Sequence, residues 1–340
     1  MTPLITVFCA CLVCSLGLPA AAADFASEYQ LLRHLPTAAL SGLITNTGLP
    51  DAQGFIGFHH QQGKWIEAGM QRGGCWMLIG AVVAGDEKRA DAAWKSIETT
   101  FAHQFADGGF LSVQKPDITH EPTLPERVET AFFYLQELGH AILVVQASPM
   151  ESHFHDRIAA LKPQMRRACA FIQRGYDGII AKAGHTANRM FIAAKAFGLC
   201  GIILENEELK ASSRKLVAVA LARRDADGVF IENRGRDSSY NAVSLLMGQV
   251  LALYQPDPEL DAAFVKAMDW QRTRIRPTGE VEVSGNTRTG VGKEVFMGRP
   301  KDVNYHEVAL ALCYFGMIHH DPSALALSEK VAAWSARPRR

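Results

Sequence analysis

Apolar side chains recur at three- and four-residue steps through almost all of the chain beyond its first two dozen residues, and that period admits helices and little else. Trp76, Ile79, Gly80 and Val83 fall on one face of a segment that ends at Gly85. Asp86 is placed to cap the next helix, in which Ala90, Trp94, Ile97 and Phe101 repeat the pattern. The same period covers 131–145, 158–172, 189–203, 209–222, 242–254, 260–270, 308–318 and 324–334. Strand-like alternation is confined to 110–113 and 280–283. The fold class expected is all-α.

A short string repeats at the ends of helices: Gln104-Phe-Ala-Asp-Gly-Gly-Phe110, Tyr176-Asp-Gly-Ile-Ile180, Asp227-Gly-Val-Phe230 and Thr278-Gly-Glu-Val281. Each copy offers a glycine able to take the left-handed conformation that ends a helix, then an apolar residue that returns to the core. Repetition at this interval signals stacked helical units, and short connections make successive helices antiparallel neighbours. The expectation is an α/α toroid, a complete or incomplete barrel of about five or six helical hairpins. An open α-solenoid satisfies the same repeats.

Residues 4–18 form an apolar run too short to remain as a membrane anchor. Ala20 to Ala23 and then Asp24 follow it, as at a signal-peptidase site. Residues 1–23 are therefore read as a signal peptide, and 24–340 as a single catalytic domain, periplasmic or secreted. Val13 is a poor fit ahead of a lipid-modified Cys14. Cys9, Cys11 and Cys14 leave with the signal, while Cys75, Cys169, Cys200 and Cys313 show no metal-ligand spacing and read as buried apolar residues, with one disulfide left open. No later stretch reads as a membrane-spanning helix. The formal net charge of zero provides no overall field for nucleic acid or membrane, so an acidic polymer would need a local basic patch.

The organisation, with its D-G-x-F turns, resembles the α/α-toroid carbohydrate-active enzymes, among them six-hairpin glycosidases and toroidal polysaccharide lyases. The Gln104–Phe110 string is also similar to the repeat of toroidal triterpene cyclases, but the clustered aspartates those enzymes use for protonation are absent from this sequence.

Polar stretches interrupt the helical pattern at four places. Gly184-His-Thr-Ala-Asn-Arg-Met190 puts His185 and Asn188 on one face, with Arg189 alongside and Thr186 or His185 as a cap. Glu232-Asn-Arg-Gly-Arg-Asp-Ser-Ser-Tyr-Asn241 supplies a cap in Asp237 or Ser238 and leaves Arg234, Arg236, Tyr240 and Asn241 for a carboxylate ligand. The stretch 284–307 carries Asn286, Arg288, Lys293, Glu294, Arg299, Lys301, Asn304, Tyr305 and His306, with Val291, Val295, Phe296 and Met297 as anchors. Finally, Phe58-His-His-Gln-Gln-Gly-Lys-Trp65 precedes Gln71 and Arg72, and Trp65 is suited either to a sugar ring or to the core.

Together these suit β-elimination on a uronate-containing polysaccharide. Neutralising the uronate carboxylate makes the C5 proton removable, as an oxyanion hole would, and a Tyr or His moves the proton. Toroidal lyases present an Asn/His pair ahead of a Tyr, and here His185 and Asn188 precede Tyr240. The resemblance implies Asn188 and Arg236 on the carboxylate, His185 as base and Tyr240 as acid, or Tyr240 as both. Tyr305 and His306 are the reserve pair. Trp65, Arg72, Arg189, Arg234, Asn241, Arg288, Lys293 and Arg299 would bind the substrate. A toroidal glycoside hydrolase would instead need two carboxyls, drawn from Glu67, Asp107, Asp227, Glu232, Asp237, Glu294 and Glu307, of which Glu232 and Glu294 are the best pair. A non-catalytic glycan-binding scaffold would line its cavity with aromatics. No cofactor is implied. The pairs His59–His60, His153–His155 and His319–His320 lack the i, i+4 spacing of a helical metal site.

Overall fold

Helices form wherever the apolar period runs. The computed structural model describes residues 25–37, 39, 48–57, 64–113, 120–296 and 298–337. The segment read from sequence as a signal peptide, residues 58–63 of the His59–His60 stretch and Met297 lie outside the described residues. Among the described residues twelve α-helices occur: α1 (Glu28–Arg33), α2 (Gly73–Ala84), α3 (Glu87–Ala102), α4 (Leu124–Gln146), α5 (Glu151–Arg174), α6 (Tyr176–Ala183), α7 (Ala187–Ile203), α8 (Glu207–Leu221), α9 (Ser238–Tyr254), α10 (Pro258–Thr273), α11 (Tyr305–Ile318) and α12 (Pro322–Ser335). The described residues are all-α but for one two-stranded antiparallel ribbon, β1 (Val295–Phe296) with β2 (Arg299–Pro300). The strand-like segments 110–113 and 280–283 make only the isolated bridges Gln104↔Phe110 and Ile275↔Val281.

Composition sorts the helices into two kinds. Helices α2, α4, α7, α9 and α11 are buried along most of their length, whereas α3, α5, α8, α10 and α12 bury mainly one face. Each fully buried helix packs on the one-sided helix that follows it, and α4, α7, α9 and α11 also pack on one another in succession, with α2 against α4. The interior holds Phe132, Phe191, Phe197, Phe230, Phe264 and Tyr314, and each such side chain contributes roughly 1.5–3 kcal/mol on burial. Contrary to the sequence reading, α4 is long and apolar enough to cross a membrane by length and composition, but 83% of its apolar stretch is buried inside the protein.

The repeated turn is realised at 104–110, 224–230 and 275–281. In each, a backbone N–H reaches four residues ahead (Phe105 to Gly109, Asp225 to Val229, Arg276 to Glu280), and a glycine takes positive φ (Gly108 93°, Gly228 84°, Gly279 90°). The copy at Tyr176 is different. Gly178 lies inside α6 without a positive φ, and a Cβ there would meet open space. A Cβ on Gly279 would collide with the carbonyl oxygen of Lys330 in α12. Gly279→Ala is therefore expected to cost at least about 2 kcal/mol, from left-handed backbone plus that collision. Gly178→Ala is expected to be neutral or to stabilise by up to roughly 1 kcal/mol through helix propensity. Urea denaturation of the two variants measures the difference.

All four remaining cysteines, Cys75, Cys169, Cys200 and Cys313, are buried free thiols.

Candidate active site

The N-terminal halves of the buried helices are tied together by side chains. Arg72 lies over the Phe133 ring of α4 at 5.7 Å, and Gly69 N donates to Thr130 Oγ1 at 2.7 Å. Glu129 of α4 pairs with Arg189 of α7 at 3.1 Å. Asn188 N, in the first turn of α7, donates at 2.7 Å to Glu232, six residues ahead of α9. Asn304 N donates to Ser239 Oγ of α9 at 3.0 Å, and His306 of α11 meets Trp76 of α2 edge-on at 5.9 Å. The contacts pass from α2 through α4, α7, α9 and α11 and return to α2. Helix N-termini gathered in this way present partial positive charge and favour an anion.

Asp237 explains how the loop 284–307 reaches this region. It is fully buried and caps α9 by accepting from Ser239 N and Tyr240 N, both at 3.1 Å. The same carboxylate accepts from Arg288 N (2.9 Å), Thr289 N (2.8 Å) and Thr289 Oγ1 (3.0 Å). One aspartate thus fastens the loop to the helix. The guanidinium of Arg288 then lies 4.0 Å from the Tyr240 ring centroid, pairing with Glu232 at 3.0 Å and with both oxygens of Glu294 at 3.1 Å. Lys301 joins Glu294 and stands 5.7 Å from the same ring.

Burial sets the protonation states here. Tyr240 is pushed up to about 12 by desolvation, against the pull of Arg288. Desolvation likewise lifts Glu232 to about 7, opposed by the Asn188 amide and Arg288. His306 is pushed down to about 4, because a buried imidazolium is poorly solvated. Glu307 is raised by burial, with Arg72 opposing. The linked region therefore offers a protonated phenol and a neutral imidazole at neutral pH.

Beneath Trp76 lies a buried charged network absent from the sequence reading. Lys195 Nζ donates to Glu137 at 3.0 Å and sits 5.5 Å from the Trp76 ring. His140 bridges Glu137 (3.3 Å) and Glu28 (2.7 Å), and Glu28 also accepts from Tyr254 (2.7 Å) and Tyr314 (2.5 Å). Burial pushes Glu137 up, but Lys195 and His140 outweigh it and hold the carboxyl at about 2. Burial pushes His140 down, but Glu28 and Glu137 together outweigh it and hold the imidazole above its ordinary value. The available signal was a charge inside an otherwise apolar helix: Lys195 stands between Ala194 and Ala196.

The predicted residues divide. Asn188, Arg189, Tyr240, Arg288, His306 and Arg72 lie in the linked region. The Asn188 side-chain oxygen is buried without a hydrogen-bond partner among the described residues. Arg288, expected to bind substrate, is instead held by two carboxylates and buried. Arg236 is drawn away from the carboxylate role by Asp225 and Asp227 of the preceding turn, and lies over Trp270. Asn241 is structural, accepting from Phe230 N and donating to Gln271. The Tyr305 hydroxyl meets Val281 N at 3.4 Å and the Trp334 side chain, toward α12. Trp65 is buried, stacked on His103 at 3.9 Å with its indole N–H on Leu111 O. His185, Arg234, Lys293 and Arg299 are exposed. Thr186 does not cap α7, since its hydroxyl donates to Ala183 O. Among the hydrolase carboxyls, Asp107 serves its own turn and Asp227 holds Arg236.

Sequence spacing also missed a surface trio. Glu87, Asp91 and His153 bring ligand-type atoms within 4.8 Å of one another from two helices, although Arg157 already pairs with Asp91 at 2.6 Å.

No protein-family model matches the chain, and no curated protein matches it by sequence. Among solved structures, the crystal structure of a sugar epimerase from a ruminal bacterium is similar at 9% identity and a TM-score of 0.49, over 86% of this chain and 86% of that one.

Proposed function

We propose that the chain is an exported α/α-toroid enzyme that cleaves a uronate-containing polysaccharide by β-elimination. The circuit of contacts among α2, α4, α7, α9 and α11 supports the toroid. The reaction rests on one observation: Tyr240 and His306 stand in the linked N-terminal region of those helices in complementary protonation states, one a protonated acid and one a neutral base.

Arg72 and Arg189, both partly exposed, would meet the uronate carboxylate, whereas Asn188, assigned to it from sequence, is buried. The two guanidinium groups stabilise the enolate-like charge that develops as the C5 proton leaves. His306 takes that proton, the C4–O bond breaks, and a C4–C5 double bond forms. Tyr240 gives its proton to the departing glycosidic oxygen, and solvent returns the His306 proton to the tyrosinate. His306 takes the base role assigned from sequence to His185, whose side chain is exposed. The hydrolase pair is disfavoured, because Glu232 and Glu294 both grip Arg288 and Glu232 is fully buried, leaving no room for a sugar between two free carboxyls.

The test is incubation of the purified mature chain with polyuronates and neutral glycans. Ultraviolet absorbance from the new conjugated double bond, released from polyuronates only, is the expected result. New reducing ends without that absorbance would establish hydrolysis, and binding without any product would establish a scaffold.

A further inference from the structure

Glu232 takes no part in the proton transfers, yet it is fully buried and its two oxygens serve two different elements. Oε1 accepts the Asn188 N–H that opens α7, at 2.7 Å, and Oε2 accepts from Arg288 Nη1 of the 284–307 loop at 3.0 Å. Burying a carboxylate is costly unless it is paired and hydrogen-bonded. The local candidate for the helix cap, Thr186, spends its hydroxyl elsewhere. Arg288 in turn is fixed from its other edge by Glu294 and lies against the Tyr240 ring. The charged groups around Tyr240 are Arg288 and Lys301 on the cationic side and Glu294, Asp237 and Glu232 on the anionic side.

We propose that Glu232 is a positioning residue: by joining the first turn of α7 to Arg288 through one carboxylate, it holds the guanidinium against the face of Tyr240 and so fixes where the phenol points. The assignment of a reaction to that phenol rests on the β-elimination reading above; the mechanical coupling does not. A cation 4.0 Å from the ring centroid stabilises the phenolate only while it is held there.

Glu232→Gln separates the two duties. An amide whose oxygen accepts from Asn188 N must turn its NH2 toward Arg288, donor against donor; turned the other way it loses the cap. With 3,5-difluorotyrosine placed at position 240, the more acidic phenol titrates by fluorine NMR where the fold is intact. In the full chain, Glu232→Gln removes an anion whose loss alone would lower that midpoint, but it also frees Arg288, whose pull on the phenol is larger, so a net rise of at least about half a pH unit is expected; Arg288→Lys, which keeps Glu232, is expected to move it the same way, because a single ammonium cannot span both carboxylates. On polyuronate, kcat is expected to fall about tenfold or more with KM within about threefold. A fluorine midpoint that is lowered, as loss of one nearby anion alone would do, or unchanged in folded Glu232→Gln overturns the proposal. Should that variant not fold, an unchanged midpoint in Arg288→Lys does so. Should the wild-type chain cleave no polyuronate, the reaction assignment fails while the fluorine titration still decides the positioning.

Discussion

Lys195→Ala is expected to lower the unfolding free energy by roughly 3–5 kcal/mol, the cost of leaving a buried charge without its partner. Lys195 and Glu137 are both essentially inaccessible to solvent, so no water replaces the lost ammonium. With Lys195 present, Glu137 ionises at about 2 when folded, below its ordinary value. The stability it supplies is therefore complete above about 4.5 and is lost as pH falls through about 2. In Lys195→Ala the largest downward pull is gone and burial pushes the carboxyl up instead. A raised folded value reverses the sign, so the carboxyl then favours the folded state at low pH and opposes it as pH rises. The deficit relative to wild type is expected to shrink on acidification from neutrality toward about 5. Pairing Lys195→Met with Glu137→Gln removes both charges and is expected to recover most of the loss. Urea denaturation at the two pH values reads all of this. A deficit of less than about 1 kcal/mol at neutral pH would mean that Lys195 is not what compensates the buried Glu137 charge.

That network also shows where the sequence stops being informative. Helices were legible because apolar spacing is a local property, and so were the Asp86 and Asp237 caps, each of which bonds within three residues. The turns at Gly108, Gly228 and Gly279 were legible for the same reason. The Tyr176 copy shared their letters, but the chain there continues directly from α5 into α6, so Gly178 is an ordinary helical residue. Polar residues at helix starts singled out Asn188, Arg189, Tyr240 and His306, which the fold brings into one linked region. What one sequence does not carry is pairing at a distance. Lys195 and Glu137 are separated by 58 residues, Asn188 and Glu232 by 44, and Glu28 and Tyr314 by 286. Arg236 illustrates the reverse error: adjacent in sequence to the Tyr240 helix, its long side chain is claimed by aspartates of the turn before it. Membership of a motif fixes where a Cα lies, while the partner that claims a guanidinium depends on the fold.

Tyr240→Phe is expected to reduce kcat on polyuronate by roughly 10²–10⁴, the range for removal of a positioned acid or base, with little change in KM. Phenylalanine preserves the ring that Arg288 covers, so the loss isolates the hydroxyl. His306→Gln is expected to fall in the same range, and the double variant to be little worse than the poorer single one, since acid and base act in one step. Tyr305→Phe, whose hydroxyl faces Val281 and Trp334, should stay within about threefold of wild type. The pH profile carries a second, independent signature. A base that must be neutral and ionises at about 4, with an acid that must be protonated and ionises at about 12, gives a kcat/KM that is flat through neutrality. It falls in acid through about 4 and declines in alkali only near 12. The acid limb belongs to His306, so it should vanish from the residual activity of His306→Gln and persist in Tyr240→Phe. Full eliminating activity in Tyr240→Phe would remove the phenol from the reaction. An acid limb that survives in His306→Gln would assign proton abstraction to a different group in the linked region, with Glu307 the first to test, because burial also raises its carboxyl.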